Sequence, residues 1–316
     1  MALFAQLTDL HIRAGGALAY GRVDTLKFLR AAVEHLNDLT PRPDAVLISG
    51  DLVDVGLAEE YAVLRPELDR LAVPYLPIPG NHDGAAFWDF FGDLLADAVP
   101  GMGHTASVAG IRIVFLDTSV PGRLGGALNK ARAAWLRTAL AGEVGRTGGG
   151  EGAPLLVMHH PPFATGIGHM DRAGFEGIGR PTAVAAAHPP CAILCGHIHR
   201  TIFAQLPLAS AASAASAAPD GPVASGGPVA SGGLIASVPP AVPVIVGPSP
   251  AHAVSLDLSP EAPSTFHMEP PGVLLHTVSG AGVRTHLSFI GPHAGPYPFA
   301  GGAVRSESAS GEIAPR

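Results

Sequence analysis

The sequence predicts an α/β fold on three observations. Short apolar runs of strand type alternate with helix-type segments. Each run ends in a burst of Asp, Asn, His and Gly. Glycine and proline, 40 and 31 among 316 residues, supply the tight connections that such alternation needs and exclude a coiled coil or plain helical bundle.

The elements follow in order. Residues 3–7 form the first apolar run and end in Thr8-Asp9-Leu10-His11. Residues 23–39 carry apolar side chains at helical spacing. The run 45–48 ends in Ser49-Gly50-Asp51-Leu52-Val53-Asp54, and 59–71 reads as a second helix. Residues 74–78 lead into Pro79-Gly80-Asn81-His82-Asp83, and 111–116 into Asp117-Thr118. A third helix is expected over 130–140, with Ala131, Trp135, Leu136 and Leu140 on one side. The runs 155–158 and 192–195 end in His159-His160-Pro161-Pro162 and Gly196-His197-Ile198-His199. Uninterrupted apolar runs of this length suit strands buried on both faces. In such sheets ligands gather at the carboxyl ends of the strands, where every one of these bursts lies.

From residue 207 the texture changes. Residues 207–240 hold 27 Ala, Ser, Gly or Pro among 34, and Gly-Pro-Val-Ala-Ser-Gly occurs at 221–226 and again at 227–232. A segment so poor in large side chains cannot offset its ordering entropy and is expected to be a mobile, non-catalytic insertion. Strands are expected again over 242–246, 252–258 and 272–278, with a hairpin through Ser279-Gly280-Ala281-Gly282 into 283–290.

Composition narrows the function classes. A net charge of −7, with 17 of the 19 basic residues Arg and none clustered, makes a nucleic acid polymer or an anionic membrane an unexpected partner. Cys191 and Cys195 would share a face of an extended segment, too far apart to bridge; two free thiols point to a reducing compartment. No basic-then-apolar leader precedes the first polar burst, and no apolar run reaches the ~20 residues of a membrane span. The cytoplasm is the expected location.

A lone Asp or His at a strand end is more often a turn former, so the set carries the argument. Asp9, His11, Asp51, Asn81, His159, His197 and His199 offer two carboxylates, one amide oxygen and four imidazoles, with no thiolate. Such donors suit Mn, Fe, Co or Zn better than Ca or Mg alone. Two ions with about four protein ligands each, one carboxylate being shared, require seven residues. Asp9-x-His11 and His197-x-His199 carry the i, i+2 spacing that puts two side chains on one face of an extended strand. In the second pair, a bend in the chain would let each imidazole serve a different ion.

Asp9-x-His11, Gly50-Asp51-x-x-Asp54, Gly80-Asn81-His82-Asp83, His159-His160-Pro161 and Gly196-His197-x-His199 resemble, in order and spacing, the five motifs of calcineurin-like binuclear metallophosphoesterases. The resemblance spans about residues 1–205. Asp117-Thr118-Ser119-Val120-Pro121-Gly122, the stretch from Gly166 to Asp171 and Gly196-His197-Ile198-His199-Arg200 are similar to the class III cyclic-nucleotide phosphodiesterase and glycerophosphodiesterase branch. The resemblance implies a four-layer α/β/β/α sandwich. Its catalytic core would span 1–206, with 241–300 completing the second sheet and 301–316 a loose tail. It also implies that Asp9, His11, Asp51 and His199 hold one ion, and Asp51, Asn81, His159 and His197 the other. A hydroxide bridging the ions would then attack phosphorus in line, and His82, spare in the ligand count, would stabilise or protonate the leaving oxygen.

His159 and His160 compete for one ligand place; the family pattern of a ligand, any residue, then Pro selects His159 and leaves His160 to orient a ligand or the substrate. Asp54 and Asp83 are expected to cap loops or support ligands, Asp83 by holding His82 in one tautomer. His169 lies in a loop where a substrate pocket could form, and Arg200 faces either a phosphate or a salt bridge. His35, His104, His188, His252, His267, His276, His286 and His293 show no partner pattern and are read as ordinary. Phe87, Trp88, Phe90 and Phe91 read as core or dimer contact, and a homo-oligomer is compatible with the sequence.

The function expected is hydrolysis of a small phosphodiester, either a 3′,5′-cyclic nucleotide or a glycerophosphodiester. The alternatives are phosphomonoester hydrolysis at the same ions, which would call for extra cations such as Arg200 or Arg172 over the site, and a non-catalytic scaffold, which should have lost ligands that this chain retains.

Overall fold

The computed structural model describes residues 1–95, 97–142, 152–208, 240–295 and 297; most of the 207–240 segment and the tail 301–316 lie outside the described residues. The first half contains β1 (Ala2–Leu7), α1 (Thr25–Asp38), β2 (Ala45–Ile48), α2 (Ala58–Leu68), β3 (Tyr75–Pro77), α3 (Ala86–Phe91), β4 (Gly103–Val108), β5 (Ile111–Leu116), β6 (Gly126–Ala127) and α4 (Lys130–Ala141). Next come β7 (Leu155–Met158), α5 (Gly168–Asp171), β8 (Phe175–Glu176), α6 (Arg180–Ala185), β9 (Ala192–Cys195) and β10 (Ile202–Pro207). Beyond the undescribed segment lie β11 (Ala241–Val246), β12 (Ala253–Val254), β13 (Phe266–His267), β14 (Gly272–Ser279) and β15 (Gly282–Phe289).

Two sheets stack face to face. One runs β15-β14-β1-β2-β3 and the other β10-β11-β9-β7-β5-β4. Residues 241–300, expected to complete the second sheet, serve both: β11 pairs with β9, while β14 pairs with β1 and with β15. The strands that precede the polar bursts are parallel within each sheet, β1 to β2 to β3 and β5 to β7 to β9, so each sheet delivers its loops to one edge.

Alternation along each strand explains the uninterrupted apolar runs. Phe4, Leu47, Phe115, Val157, Leu194 and Leu274 fill the layer between the sheets. Their chain neighbours point the opposite way. Ala5, Val46 and Ile48 pack under α1, α2 and α3 with Leu29, Tyr61, Phe87 and Phe91. On the other sheet, Val114, Leu116, Leu156 and Ile193 pack with Leu136, Leu140 and Val184 of α4 and α6. The result is the four-layer α/β/β/α sandwich. Each fully buried Leu or Phe contributes roughly 1.5–3 kcal/mol.

Helix ends follow from local chemistry. Asp24 accepts from Lys27 N at the start of α1, and Asn129 accepts from Arg132 N at the start of α4, each satisfying an otherwise orphaned donor. Gly142, at φ 80°, ends α4 in the left-handed region open to glycine. The aromatic group after Gly80 belongs to the core, with Phe87 and Phe91 fully buried. The strand expected over 252–258 shrinks to β12: Ser255 N still donates to Thr265 O, and the chain then folds back, Asp257 N donating to Ser255 O.

Candidate metal centre

The polar bursts meet at the shared edge of the two sheets, and they do so in loops rather than on extended strand. Asp9, His11, Asp51, His197 and His199 have φ of 55°, 46°, 51°, 71° and 55°. The i, i+2 reading of Asp9-His11 and His197-His199 as strand pairs is therefore corrected: β1 ends at Leu7 and β9 at Cys195, and the side chains are aimed by left-handed turns. Such backbone costs of order 1–3 kcal/mol per residue and persists only where the surroundings over-determine it. Here the loops after β1 and β2 are stitched together by Asp9 N to Gly50 O at 2.9 Å and Leu10 N to Asp51 O at 2.8 Å. A Cβ at Gly80 would lie 2.8 Å from His159 Nε2 and against Asp51, and one at Gly50 would meet the His159 ring, so glycine is required at both.

All seven expected ligand residues come together. Asp9, His11 and His199 present ligand atoms within 4.8 Å of one another, as do Asp9, Asp51 and His159. The Nε2 atoms of His11 and His199 are 3.1 Å apart, and His199 Nε2 is 3.4 Å from Asp9 Oδ1. On the other side, His159 Nε2 stands 3.2 Å from Asn81 Oδ1 and 3.2 Å from Asp51 Oδ2. The His197 ring is 5.2 Å from that of His159. Asp51 lies between the groups, its Oδ2 also 3.7 Å from His11 Nε2.

The donor chemistry fits a binuclear centre. His159 Nδ1–H donates to Ser49 O at 2.8 Å, and His11 Nδ1 faces Asp54 Oδ1 at 3.2 Å, which leaves both Nε2 lone pairs turned inward. Lone pairs of imidazole, amide and carboxylate thus converge in a buried space, an arrangement that calls for positive charge. The electrostatics of the cluster make the same demand. Burial opposes the charge on Asp51, yet His159, His82 and His11 outweigh it and hold the carboxyl well below 3.8. Burial also opposes protonation of His159, but Asp51 overrides it and pushes the imidazole up to about 9. Asp9 is pushed up to about 6 by burial, which the attraction of His159 only partly offsets.

A surrounding ring of groups holds these side chains. Asp54 binds His11 and receives Arg13 Nη1 at 2.7 Å. His160 is saturated, with Nδ1 2.8 Å from Thr118 Oγ1 and Nε2 3.1 Å from Leu124 O, so it packs beside His159 and His197 as a support. Asp83 does not hold His82. Its carboxylate instead accepts from Leu52 N, Val53 N, Gly80 N and Tyr61 Oη, clamping the loops after β2 and β3 together. The His82 ring is fixed by Asp54 O, 2.6 Å from Nδ1, and His82 N donates to Asp51 Oδ1 at 2.9 Å. Of its two expected courses Arg200 takes the salt bridge: Nη1 and Nη2 reach the Glu269 carboxylate at 2.8 and 3.0 Å, and Nη1 also meets Val254 O.

A cavity of about 420 Å³ opens over the cluster. Its floor is His11, Asp51, Asn81, His82, His197 and His199, and its walls include Tyr20, Leu124, His169, Met170, His252 and Phe266. His169 lies at the wall, with both ring nitrogens buried and without a partner among the described residues. Tyr20, His252 and Phe266 were not anticipated. Their rings lie 5.2 to 5.3 Å apart pairwise, and His252 stands edge-on to His199 at 4.5 Å. Burial pushes His252 down to about 3, so its imidazole is neutral. A signal for His252 existed: it follows the apolar run 241–246 and Gly247-Pro248-Ser249-Pro250, a strand-end burst like the others.

Residues 2–201 match the calcineurin-like phosphoesterase family. The chain is 33% identical, over 94% of its length and 96% of the relative's, to a probable glycerophosphodiester phosphodiesterase of Arcobacter nitrofigilis. It is 34% identical, over 61% of its length and 60% of the relative's, to a cAMP/cGMP dual specificity phosphodiesterase of Mycobacterium tuberculosis. Among solved structures, a purple acid phosphatase from yellow lupin seeds shares the fold at a TM-score of 0.54 and 14% identity, covering 87% of this chain and 49% of that one. With the family matched across most of the chain and its five motifs gathered at one sheet edge, the protein belongs to the calcineurin-like phosphoesterases, on their glycerophosphodiester and cyclic-nucleotide phosphodiesterase branch.

Proposed function

We propose that this phosphodiesterase hydrolyses a small diester, a glycerophosphodiester or a 3′,5′-cyclic nucleotide, at a two-metal site. Asp9, His11, Asp51 and His199 would hold one ion, and Asp51, Asn81, His159 and His197 the other, drawn from Mn, Fe, Co or Zn. Bound there, such ions polarise phosphoryl oxygens and acidify water. The chain's own residues supply the rest. His82, with Nδ1–H committed to Asp54 O, has Nε2 as the atom that holds a proton for the departing alkoxide. Asp54 and Ser49 O keep His11 and His159 in the tautomer that turns Nε2 inward. Tyr20, Phe266 and Met170 offer an apolar wall to the substrate's organic part, and His169 and His252 offer imidazole nitrogens to its hydroxyls.

One observation carries the choice of diester over monoester. Among the described residues no Arg or Lys lines the cavity; Arg200 is held by Glu269, and Arg172 points its Nη1 to Pro260 O. A diester has a single negative charge for the metals to neutralise, whereas a monoester dianion gains from a further cation. The names of the relatives support the two candidate substrates. Unbridged Cys191 and Cys195 support a reducing, cytoplasmic setting. Among the described residues no helix is long and apolar enough to cross a membrane.

The test is specific activity of the Mn-reconstituted protein on 3′,5′-cyclic AMP, a glycerophosphodiester and a phosphate monoester, with Asp51→Ala as blank. Preference for either diester is expected and fixes the substrate; preference for the monoester would overturn the assignment.

A further inference from the structure

Gln6 is the last residue of β1 to face the mainly apolar layer between the sheets, and it is 1% exposed. Its amide touches three strands. Nε2 lies 2.7 Å from Cys195 O, at the end of β9, and 2.8 Å from Ser49 Oγ, just past β2. Oε1 lies 3.0 Å from Nε2 of His276 in β14, and His276 Nδ1 lies 2.9 Å from Thr285 Oγ1 in β15.

The direction of every hydrogen follows. The Cys195 carbonyl can only accept, which turns the amide NH₂ toward it and leaves Oε1, an acceptor, facing His276. His276 therefore carries its proton on Nε2, and Nδ1 accepts from the Thr285 hydroxyl. Burial agrees, pushing the imidazole down to about 3 and keeping it neutral. Both N–H donors of the amide are used and its oxygen is engaged, and space for it is provided by Gly247, where a Cβ would come within 3.0 to 3.3 Å of the Gln6 amide. An aliphatic side chain would have filled the same layer at lower cost, so a buried polar network calls for a reason beyond packing.

Its anchor points supply one. Ser49 O receives His159 Nδ1, Cys195 precedes Gly196-His197, and Asp9 begins three residues after Gln6. We infer that Gln6, aimed by His276, is a positioning residue that fixes the spacing between the β1 and β2 loops of one sheet and the β9 loop of the other. Asp9, His11 and Asp51 stand on one side of that spacing, and His197 and His199 on the other. The inference rests on the two-metal reading above, and acts through it most on the ion held by Asp51, Asn81, His159 and His197, whose ligands divide evenly between the sheets.

The experiment is Mn(II) titration of the full chain followed by EPR, which separates an exchange-coupled pair from isolated ions without reference to turnover. In wild type, two ions and a coupled spectrum are expected; a wild-type protein that takes up fewer than two would refute the site assignment itself. Gln6→Leu should weaken the second ion at least tenfold and replace the coupled spectrum by that of isolated Mn at two equivalents. His276→Leu should do the same, Gln6→Leu/His276→Leu should be no worse than either alone, and His276→Gln, which restores a donor to Oε1, should recover the coupled spectrum. Wild-type second-ion affinity and spectrum in Gln6→Leu would overturn the inference, as would failure of His276→Gln to recover where His276→Leu has lost. If Gln6→Leu does not fold, the half-buried Thr285→Val decides: about threefold weakening of the second ion is expected, and wild-type affinity would sink the proposal.

Discussion

The Nε2 atoms of His11 and His199 face each other at 3.1 Å across 188 residues of sequence. One follows β1, the other β9, and the carboxylate of Asp51 stands beside them within 3.7 Å of His11 Nε2 while also lying 3.2 Å from His159 Nε2. A side chain that serves both donor groups should be the least replaceable. Asp51→Asn keeps the shape and removes the charge. Metal analysis is expected to show fewer than two ions per chain, and turnover should fall at least ~10³-fold, equivalent to about 4 kcal/mol of transition-state stabilisation.

His82 makes a different prediction, because it touches the Asp51 carboxylate only through its backbone N–H. His82→Ala should retain both ions and slow turnover by about 10²–10⁴ on diesters with poor alcohol leaving groups. On an activated nitrophenyl diester the loss should be much smaller. Equal losses on the two substrates would remove the proton-holding role.

Gly80 tests whether backbone space matters as much as ligand identity. Its Cβ would stand 2.8 Å from His159 Nε2 and against Asp51, both fixed within the cluster. Gly80→Ala changes no donor atom, yet it should lower metal affinity by tenfold or more, read by competition with a chelator. Gly101→Ala, at a position with open space around it, reports the backbone cost of a left-handed glycine alone and should leave affinity unchanged.

Acid sensitivity should originate partly away from the site. His104 stacks on Phe115 at 4.2 Å and its Nε2 meets Pro77 O at 2.9 Å, where burial pushes its pKa down to about 4 from 6.5. Between those values the unfolded chain takes up the proton and the folded chain does not, so stability is full above about pH 6.5 and is lost as pH falls toward 4. From pH 6.5 to 5 the loss from this group is about 2 kcal/mol. Urea unfolding at the two pH values checks it. His104→Gln, which keeps a donor for Pro77 O and does not titrate, should flatten the slope by that amount.

Most of the framework was legible because it obeys simple periodicities. The six strands that carry the bursts were marked by short, mainly apolar runs, and α1 and α4 by helical spacing. The site residues were legible as a set because parallel strands send their carboxyl ends to one edge. What escaped was set by three dimensions. Strand-like spacing in Asp9-x-His11 gave no warning of φ near 50°, since short-range patterns do not show a turn forced by hydrogen bonds to Gly50 and Asp51. Asp83, next to His82 in sequence, spends its carboxylate on Leu52, Val53, Gly80 and Tyr61, partners that only the meeting of two loops creates. Tyr20 reaches the cavity from the loop after β1, preceded only by Ala17-Leu18-Ala19, too short a run to mark a strand end.

The pairing of β1 with β14 has a bearing on how the protein is made. Every side chain expected to hold metal has been synthesised once residue 199 leaves the ribosome. Yet Phe4 finds His276 as its cross-strand partner only about 75 residues later, and Ala2 pairs with Val278. Until then β1 has an open edge and Gln6 lacks its imidazole partner. A nascent chain would thus carry a full complement of donors without the sheet that spaces them, so competence to take up metal waits for the emergence of β14 rather than that of the last ligand.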